Sequence, residues 1–117
     1  MGSNLRSTPL ELAQKYMDIV FTSTDFDQLR EILAPKMVFQ GPLYNFVTAE
    51  DYIESLFKNP PEKFNYSMIK SYMDATSACL IYRFAKPGIS TVMVQYFEVE
   101  NGKISRIMLT FDTANFL

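Results

Sequence analysis

The chain has no histidine and no tryptophan, one cysteine and only four glycines among its 117 residues. Without histidine there is no Cys/His zinc site and no imidazole base. A lone Cys79 excludes an intramolecular disulfide framework. No carboxylate pattern points to a metal, and no cofactor is indicated. There is no run near twenty apolar residues, and the opening MGSNLRSTPLELAQ lacks a basic segment followed by an apolar one. Neither membrane insertion nor export is therefore expected, which leaves the cytoplasm as the default location. The eleven Lys and Arg residues are dispersed over the whole length, so no basic cluster could neutralise a row of phosphates, and nucleic acid is not an expected partner.

What is present is the balance of an ordinary globular domain, 48% hydrophobic and 21% charged, with a net charge of −2. The length fits a single domain over residues 1–117, with the polar leader MGSNLRS at its start. TPLELAQKYMDIVF opens with Thr8 as N-cap, Pro9 at the first helical position and Glu11 three residues after the cap. That capping box predicts a helix over 9–22. Its apolar stripe is wide, with Leu10, Ala13, Met17 and Val20 on one line and Leu12, Tyr16 and Ile19 on the next. DFDQLREILAP repeats the device with Asp25 as cap and Gln28 at N3. It predicts a short second helix that points Leu29, Ile32 and Leu33 inward and stops at Pro35. KMVFQGPLY then reads as extended chain broken at Gly41-Pro42. In TAEDYIESLF, Thr48 caps a third helix ending before Asn59-Pro60-Pro61.

From residue 63 the apolar period becomes two, with turns at Lys86-Pro87-Gly88 and Asn101-Gly102. Helices first and a meander of strands afterwards predict the α+β class, with helices packed on one face of an antiparallel sheet. Within VMVQYFEVENGKI, the uncharged but polar Gln95 stands among Val92, Met93, Val94, Tyr96 and Phe97. A two-residue Asn-Gly loop pairs Glu100 with Lys103 and puts Gln95 on a face with Arg106 and Met108. A three-residue loop pairs Val99 with Lys103 and puts Gln95 with Ile107, Leu109 and Phe111. The second is favoured, because it buries one face consistently. A side-chain amide buried there without partners costs ~1–3 kcal/mol, so a protein group, a water or a ligand must bond it.

Other constellations have plainer readings. Asp25 with Asp27, and Glu50 with Asp51, sit at helix starts, where capping and the helix dipole account for them. Arg83 and Arg106 are candidate anion ligands, but strand arginines more often meet neighbours such as Glu98 or Glu100. Tyr44, Tyr52 and Tyr66 are expected near the rim of a cavity. Cys79, with no partner histidine, is not expected to be a nucleophile.

QKY late in the first helix, MVFQGP in the first strand and YFEVENGKISRI with TFD at the end resemble the SnoaL-like branch of the nuclear transport factor 2-like superfamily, over nearly the whole chain. The resemblance implies a cone-shaped, cystatin-like α+β barrel: three N-terminal helices packed on a strongly curved antiparallel sheet, with an apolar cavity between them. It also implies a homodimer, in keeping with the apolar outward strand positions Val92, Val94, Tyr96, Met108 and Thr110. Matched one by one, Tyr16 takes the place of the ketosteroid isomerase tyrosine that bonds a developing oxyanion, and Gln95 that of the protonated acid beside it. Gly41 takes the place of the carboxylate base. The water-activating aspartate of limonene epoxide hydrolases falls on Leu109, with Asp112 further along and on the outer side. Polyketide cyclases and scytalone dehydratase rely on histidine, which is missing here.

Three functional readings follow. The first is binding of a small apolar organic molecule bearing one carbonyl or hydroxyl, with a pocket of Tyr16, Phe39, Tyr44, Tyr52, Met93, Gln95, Phe97, Leu109 and Phe111 and no catalytic carboxylate. The second is an isomerase, cyclase or dehydratase with a Tyr16/Gln95 oxyanion hole, for which Asp112 is the nearest carboxylate if the two-residue turn forms. The third is a dimeric interaction module without a ligand.

Overall fold

A computed structural model describes residues 7–23, 25–61 and 65–116. The expected leader, apart from Ser7, lies outside the described residues. Helix α1 spans Pro9–Thr22, with the capping box in place: the Glu11 amide donates to Thr8 Oγ1 at 3.1 Å, and the Thr8 amide donates to Glu11 Oε1 at 2.7 Å. Its buried side, from Leu12 and Ala13 through Tyr16, Met17, Ile19 and Val20, follows both predicted lines. Helix α2, Ala49–Lys58, is capped by Thr48, whose Oγ1 accepts from the Asp51 amide at 3.1 Å. Neither helix is long and apolar enough to cross a membrane.

The second predicted helix is corrected. It is a 3-10 helix, Phe26–Glu31, and the Asp25 side chain makes no cap bond to its backbone. The Gln28 amide bonds the Asp25 carbonyl instead, at 3.2 Å, in the i to i+3 spacing of the tighter helix. By Leu33 the chain is already in strand β1, Leu33–Gln40, so Pro35 lies inside a strand and ends no helix. It is tolerated because β1 loses register with its neighbour between Leu33 and Val38, where no amide donor is needed.

The remaining strands are β2 (Asn45–Phe46), β3 (Asn65–Met73), β4 (Ser77–Lys86), β5 (Ile89–Glu100) and β6 (Lys103–Thr110), followed by a 3-10 turn at Thr113–Phe116. They form one curled sheet in the order β2-β1-β6-β5-β4-β3. All neighbours are antiparallel except β1 and β6, which run parallel. The helices fill the hollow of the sheet, and Met17, Leu29, Leu33, Met37, Ile53, Leu80, Phe97, Ile104 and Ile107 are fully buried between the layers. The architecture is the cone-shaped α+β arrangement.

The β5–β6 hairpin combines the two predicted registers. Asn101 (φ 52°) and Gly102 (φ 78°) both occupy the left-handed region, and Glu100 pairs with Lys103. This is the two-residue loop, not the favoured three-residue one, and Asn-Gly suits its two positive φ angles. One step further, Val99 pairs with Ile104 but Glu98 pairs with Arg106, so Ser105 is an extra residue in β6. Its hydroxyl donates to the Glu98 carbonyl at 3.3 Å. The bulge restores the phase that the shorter loop would have shifted, placing Phe97 opposite Ile107 and Gln95 opposite Leu109. Gln95 therefore faces the hollow, with only 2% of its surface exposed.

Candidate functional site

A cavity of about 270 Å³ opens between the helices and the inner face of the sheet. Helix α1 contributes Tyr16, Val20 and Phe21 to its wall, and α2 contributes Tyr52 and Leu56. From the sheet come Phe39, Tyr82, Phe84, Met93, Gln95 and Leu109, with Phe111 just beyond β6. The loop Gly41-Pro42-Leu43-Tyr44 and Pro61 form the mouth. No Asp, Glu, Lys, Arg or Cys is in this wall among the described residues.

The polar atoms of the wall form two bonded pairs. Tyr82 Oη donates to Gln95 Oε1 at 2.7 Å, and the Gln95 amide lies near the Tyr16 hydroxyl. Tyr16 and Tyr52 share a very short hydroxyl contact. Among the described residues no buried side-chain nitrogen or oxygen lacks a partner. Burial pushes the Tyr16 hydroxyl up to about 12, an effect partly opposed by the neighbouring Tyr52 hydroxyl and Gln95 amide. Burial likewise raises Tyr52 and Tyr82, reinforced by the neighbouring phenols. All three rings are thus neutral near physiological pH and act as donors, not as bases.

The proton count in these pairs is informative. The Tyr82 proton is committed to Gln95 Oε1. Only one proton can lie in the Tyr16–Tyr52 contact. The second phenol proton of that pair lies outside the contact, and both residues line the cavity. The site presents a spare donor at the end of an otherwise apolar enclosure.

Among the expected pocket residues, Tyr16, Phe39, Tyr44, Tyr52, Met93, Gln95, Leu109 and Phe111 share this cavity, whereas Phe97 does not. Phe97 lies behind Tyr16, edge to face at 5.3 Å, where it supports the ring from the core side. Tyr52 is not a rim residue either. It is buried and stacked on Phe39 at 4.9 Å. Tyr66 stands outside the wall, against Phe21 at 5.0 Å, and its hydroxyl accepts from Gln14 at 3.1 Å. Tyr82 and Phe84 were missed, although the alternation of Ala78, Leu80, Tyr82 and Phe84 along β4 would have found them.

The charged candidates lie elsewhere. Asp27 and Glu50 converge on Arg30, with Arg30 Nε donating to Asp27 at 3.0 Å and Nη2 to Glu50 at 3.2 Å. This clamp ties the 3-10 helix to α2, while Asp27 and Glu50 keep the first-turn positions that suit the helix dipole. Arg106 donates to Gln40 Oε1 at 2.8 Å and lies 3.8 Å from Glu98, and Arg83 reaches Ser90 at 3.4 Å. Asp112 is exposed and accepts the Ala114 amide at 3.0 Å. At Gly41, a Cβ would come within 3.1 Å of the Phe39 ring, so a side chain there would have to displace that ring. Cys79 is half-buried in mid-strand. No group of three or more metal-ligating side chains occurs among the described residues.

Helices filling a curled sheet around an apolar, phenol-ended cavity define the cone-shaped α+β cavity class of small domains. The chain belongs to the SnoaL-like domain family, whose model matches residues 13–107. Solved structures agree on the fold. An NTF2-like protein of unknown function from Cytophaga hutchinsonii is 23% identical, with a TM-score of 0.79 over 93% of this chain and 94% of that one. A putative SnoaL-like polyketide cyclase from Shewanella putrefaciens is 16% identical, with a TM-score of 0.78 over 97% and 86%. A putative ketosteroid isomerase from Kribbella flavida is 20% identical, with a TM-score of 0.74 over 86% and 75%. No curated protein matches by sequence.

Proposed function

We propose that this protein binds a small, uncharged, mostly apolar organic molecule carrying one hydrogen-bond acceptor, such as a carbonyl oxygen. The observation that carries the reading is the spare phenol proton of the Tyr16–Tyr52 pair at the end of the cavity. Benzene fills an engineered cavity of ~150 Å³. A space of about 270 Å³ suits a ligand of roughly ten to twelve non-hydrogen atoms.

Matching the spare donor to a carbonyl is worth ~1–3 kcal/mol, or roughly 5- to 150-fold in affinity. Titration with 2-acetylnaphthalene and 2-ethylnaphthalene, a ketone and a hydrocarbon of similar shape, tests this. The wild-type chain is expected to prefer the ketone by about tenfold or more, and the double variant Tyr16→Phe/Tyr52→Phe, which has neither phenol proton, is expected to lose the preference. Equal affinity for the two probes in the wild type, or a preference that survives in the double variant, would refute the assignment.

The enzyme reading is supported by the same neutral donors in an apolar cavity, which is the composition of an oxyanion hole. It has no carboxylate or imidazole in the described wall to move a proton. Turnover of a small enolisable cyclic ketone that vanishes in Tyr16→Phe would establish it over simple binding. We also propose that the outer face of β5 and β6 pairs with a second copy. Val92, Val94 and Met108 stand exposed there, on the side of the sheet opposite Gln95. Sedimentation of Val94→Lys beside the wild type decides this, with a monomeric variant and a dimeric wild type as the expected result.

A further inference from the structure

Next to the main cavity is a second one of about 180 Å³, between β1, β2 and the second half of α2. Phe39, Tyr44, Tyr52 and Leu56 belong to both walls. As barriers these four are unequal. Phe39 and Tyr52 are buried and stacked, with 13° between their planes, and Tyr52 is tied to Tyr16. Leu56 is buried on α2. Moving any of these disturbs the core.

Tyr44 differs from them. It is 65% exposed, and its ring and hydroxyl make no hydrogen bond or ring contact among the described residues. Its backbone is nevertheless anchored, since its carbonyl accepts the Gly41 amide at 2.9 Å. The ring can therefore change rotamer while the loop stays in place, and exposed side chains do so in picoseconds to nanoseconds.

The second chamber has a different chemistry from the first. Ser55 Oγ donates to the Tyr52 carbonyl at 2.6 Å, which leaves the lone pairs of its oxygen able to accept. Asn59 is exposed, and its side-chain amide has no partner among the described residues, so it offers both a donor and an acceptor. Both residues line the chamber.

We propose that Tyr44 is a specificity-determining gate between the two chambers, and that the preferred ligand has an apolar body in the first and a short hydroxyl- or amide-bearing branch in the second. This rests on the binding role of the main cavity, which must hold the body. The exposed ring of Tyr44 sets whether the branch passes, and Ser55 with Asn59 sets what the branch must be.

Two probes test it: 2-acetylnaphthalene, and the same ketone carrying a hydroxyethyl group at carbon 6. The readout is the ratio of their affinities. Tyr44→Ala should raise the ratio in favour of the branched probe by about tenfold, and Asn59→Leu should lower it severalfold. Both positions are exposed, so a melting curve shows directly that the variants fold. A ratio unchanged in both variants, with the compact ketone still bound, overturns the gate and leaves the main-cavity reading standing. Failure of the compact ketone to bind any form of the protein overturns both.

Discussion

The Tyr82–Gln95 contact is the polar pair most open to measurement. Replacing Tyr82 by Phe removes the O–H that donates at 2.7 Å and leaves Gln95 Oε1 buried without its donor. Replacing Gln95 by Leu keeps the approximate volume but strands the Tyr82 proton. Each single change leaves one buried polar group unmet and should cost about 1–3 kcal/mol. The double variant leaves nothing unmet at that contact, because two apolar groups now face each other. Its cost should fall short of the sum of the singles by roughly 1–2 kcal/mol. Urea unfolding of the four proteins reads this from the midpoints at constant slope, and in a domain of this length each kcal/mol corresponds to roughly 4 °C in melting temperature. Additivity within ~0.5 kcal/mol would show that the two groups do not interact.

Three further outcomes are expected. Deleting Ser105 while keeping Asn101-Gly102 should turn Ile107 and Leu109 outward and Arg106 inward, at a cost of several kcal/mol that removes cooperative melting; a melting temperature within a few degrees of wild type would contradict the bulge. Thr8→Ala should destabilise by about 1 kcal/mol through loss of the α1 capping box, visible as a lower urea midpoint, and an unchanged midpoint would deny the cap any role. An unfolded tyrosine releases its proton near pH 10, whereas Tyr16 holds its own to about 12, so the unfolded state binds fewer protons between these values. Stability should therefore be flat in Tyr16 below pH 10 and fall by roughly 3 kcal/mol across that window, with a shallower fall in Tyr16→Phe. Identical alkaline slopes for the two proteins would show that Tyr16 is not a buried phenol.

Features with a local chemical signature were legible from the amino-acid order. Thr8, Pro9 and Glu11 announce α1 because each satisfies or removes an orphan amide within one turn, and Thr48 does the same for α2. Asp25 carried the same signal and misled. The chain bends from the 3-10 helix into β1 within two residues, and that path is set by β6 and α2, not by the cap. In the β5–β6 hairpin, the Asn-Gly pair announces a two-residue loop while the apolar alternation demands the opposite phase. Both signals were correct, and a serine bulge with no signature of its own reconciles them. Within the candidate site, Gln95 stood out because an amide in an apolar strand has to be bonded. Alternation along β4 puts Tyr82 on the same face, but its pairing with Gln95 follows from the register of β4 on β5. Phe97 was misplaced for a related reason. Alternation fixes which face a residue takes, but the depth of Tyr16 decides that this ring is packed behind the wall and not in it.

The parallel seam between β1 and β6 has a consequence for how the molecule is made. Sixty-two residues separate the end of one strand from the start of the other. A nascent chain leaving the ribosome will therefore carry β1 with its main hydrogen-bonding edge open until β6 has emerged. Short β2 covers the other edge, two residues long. During synthesis the apolar lining of the cone waits for its closing strand, and the final hairpin acts as the clasp.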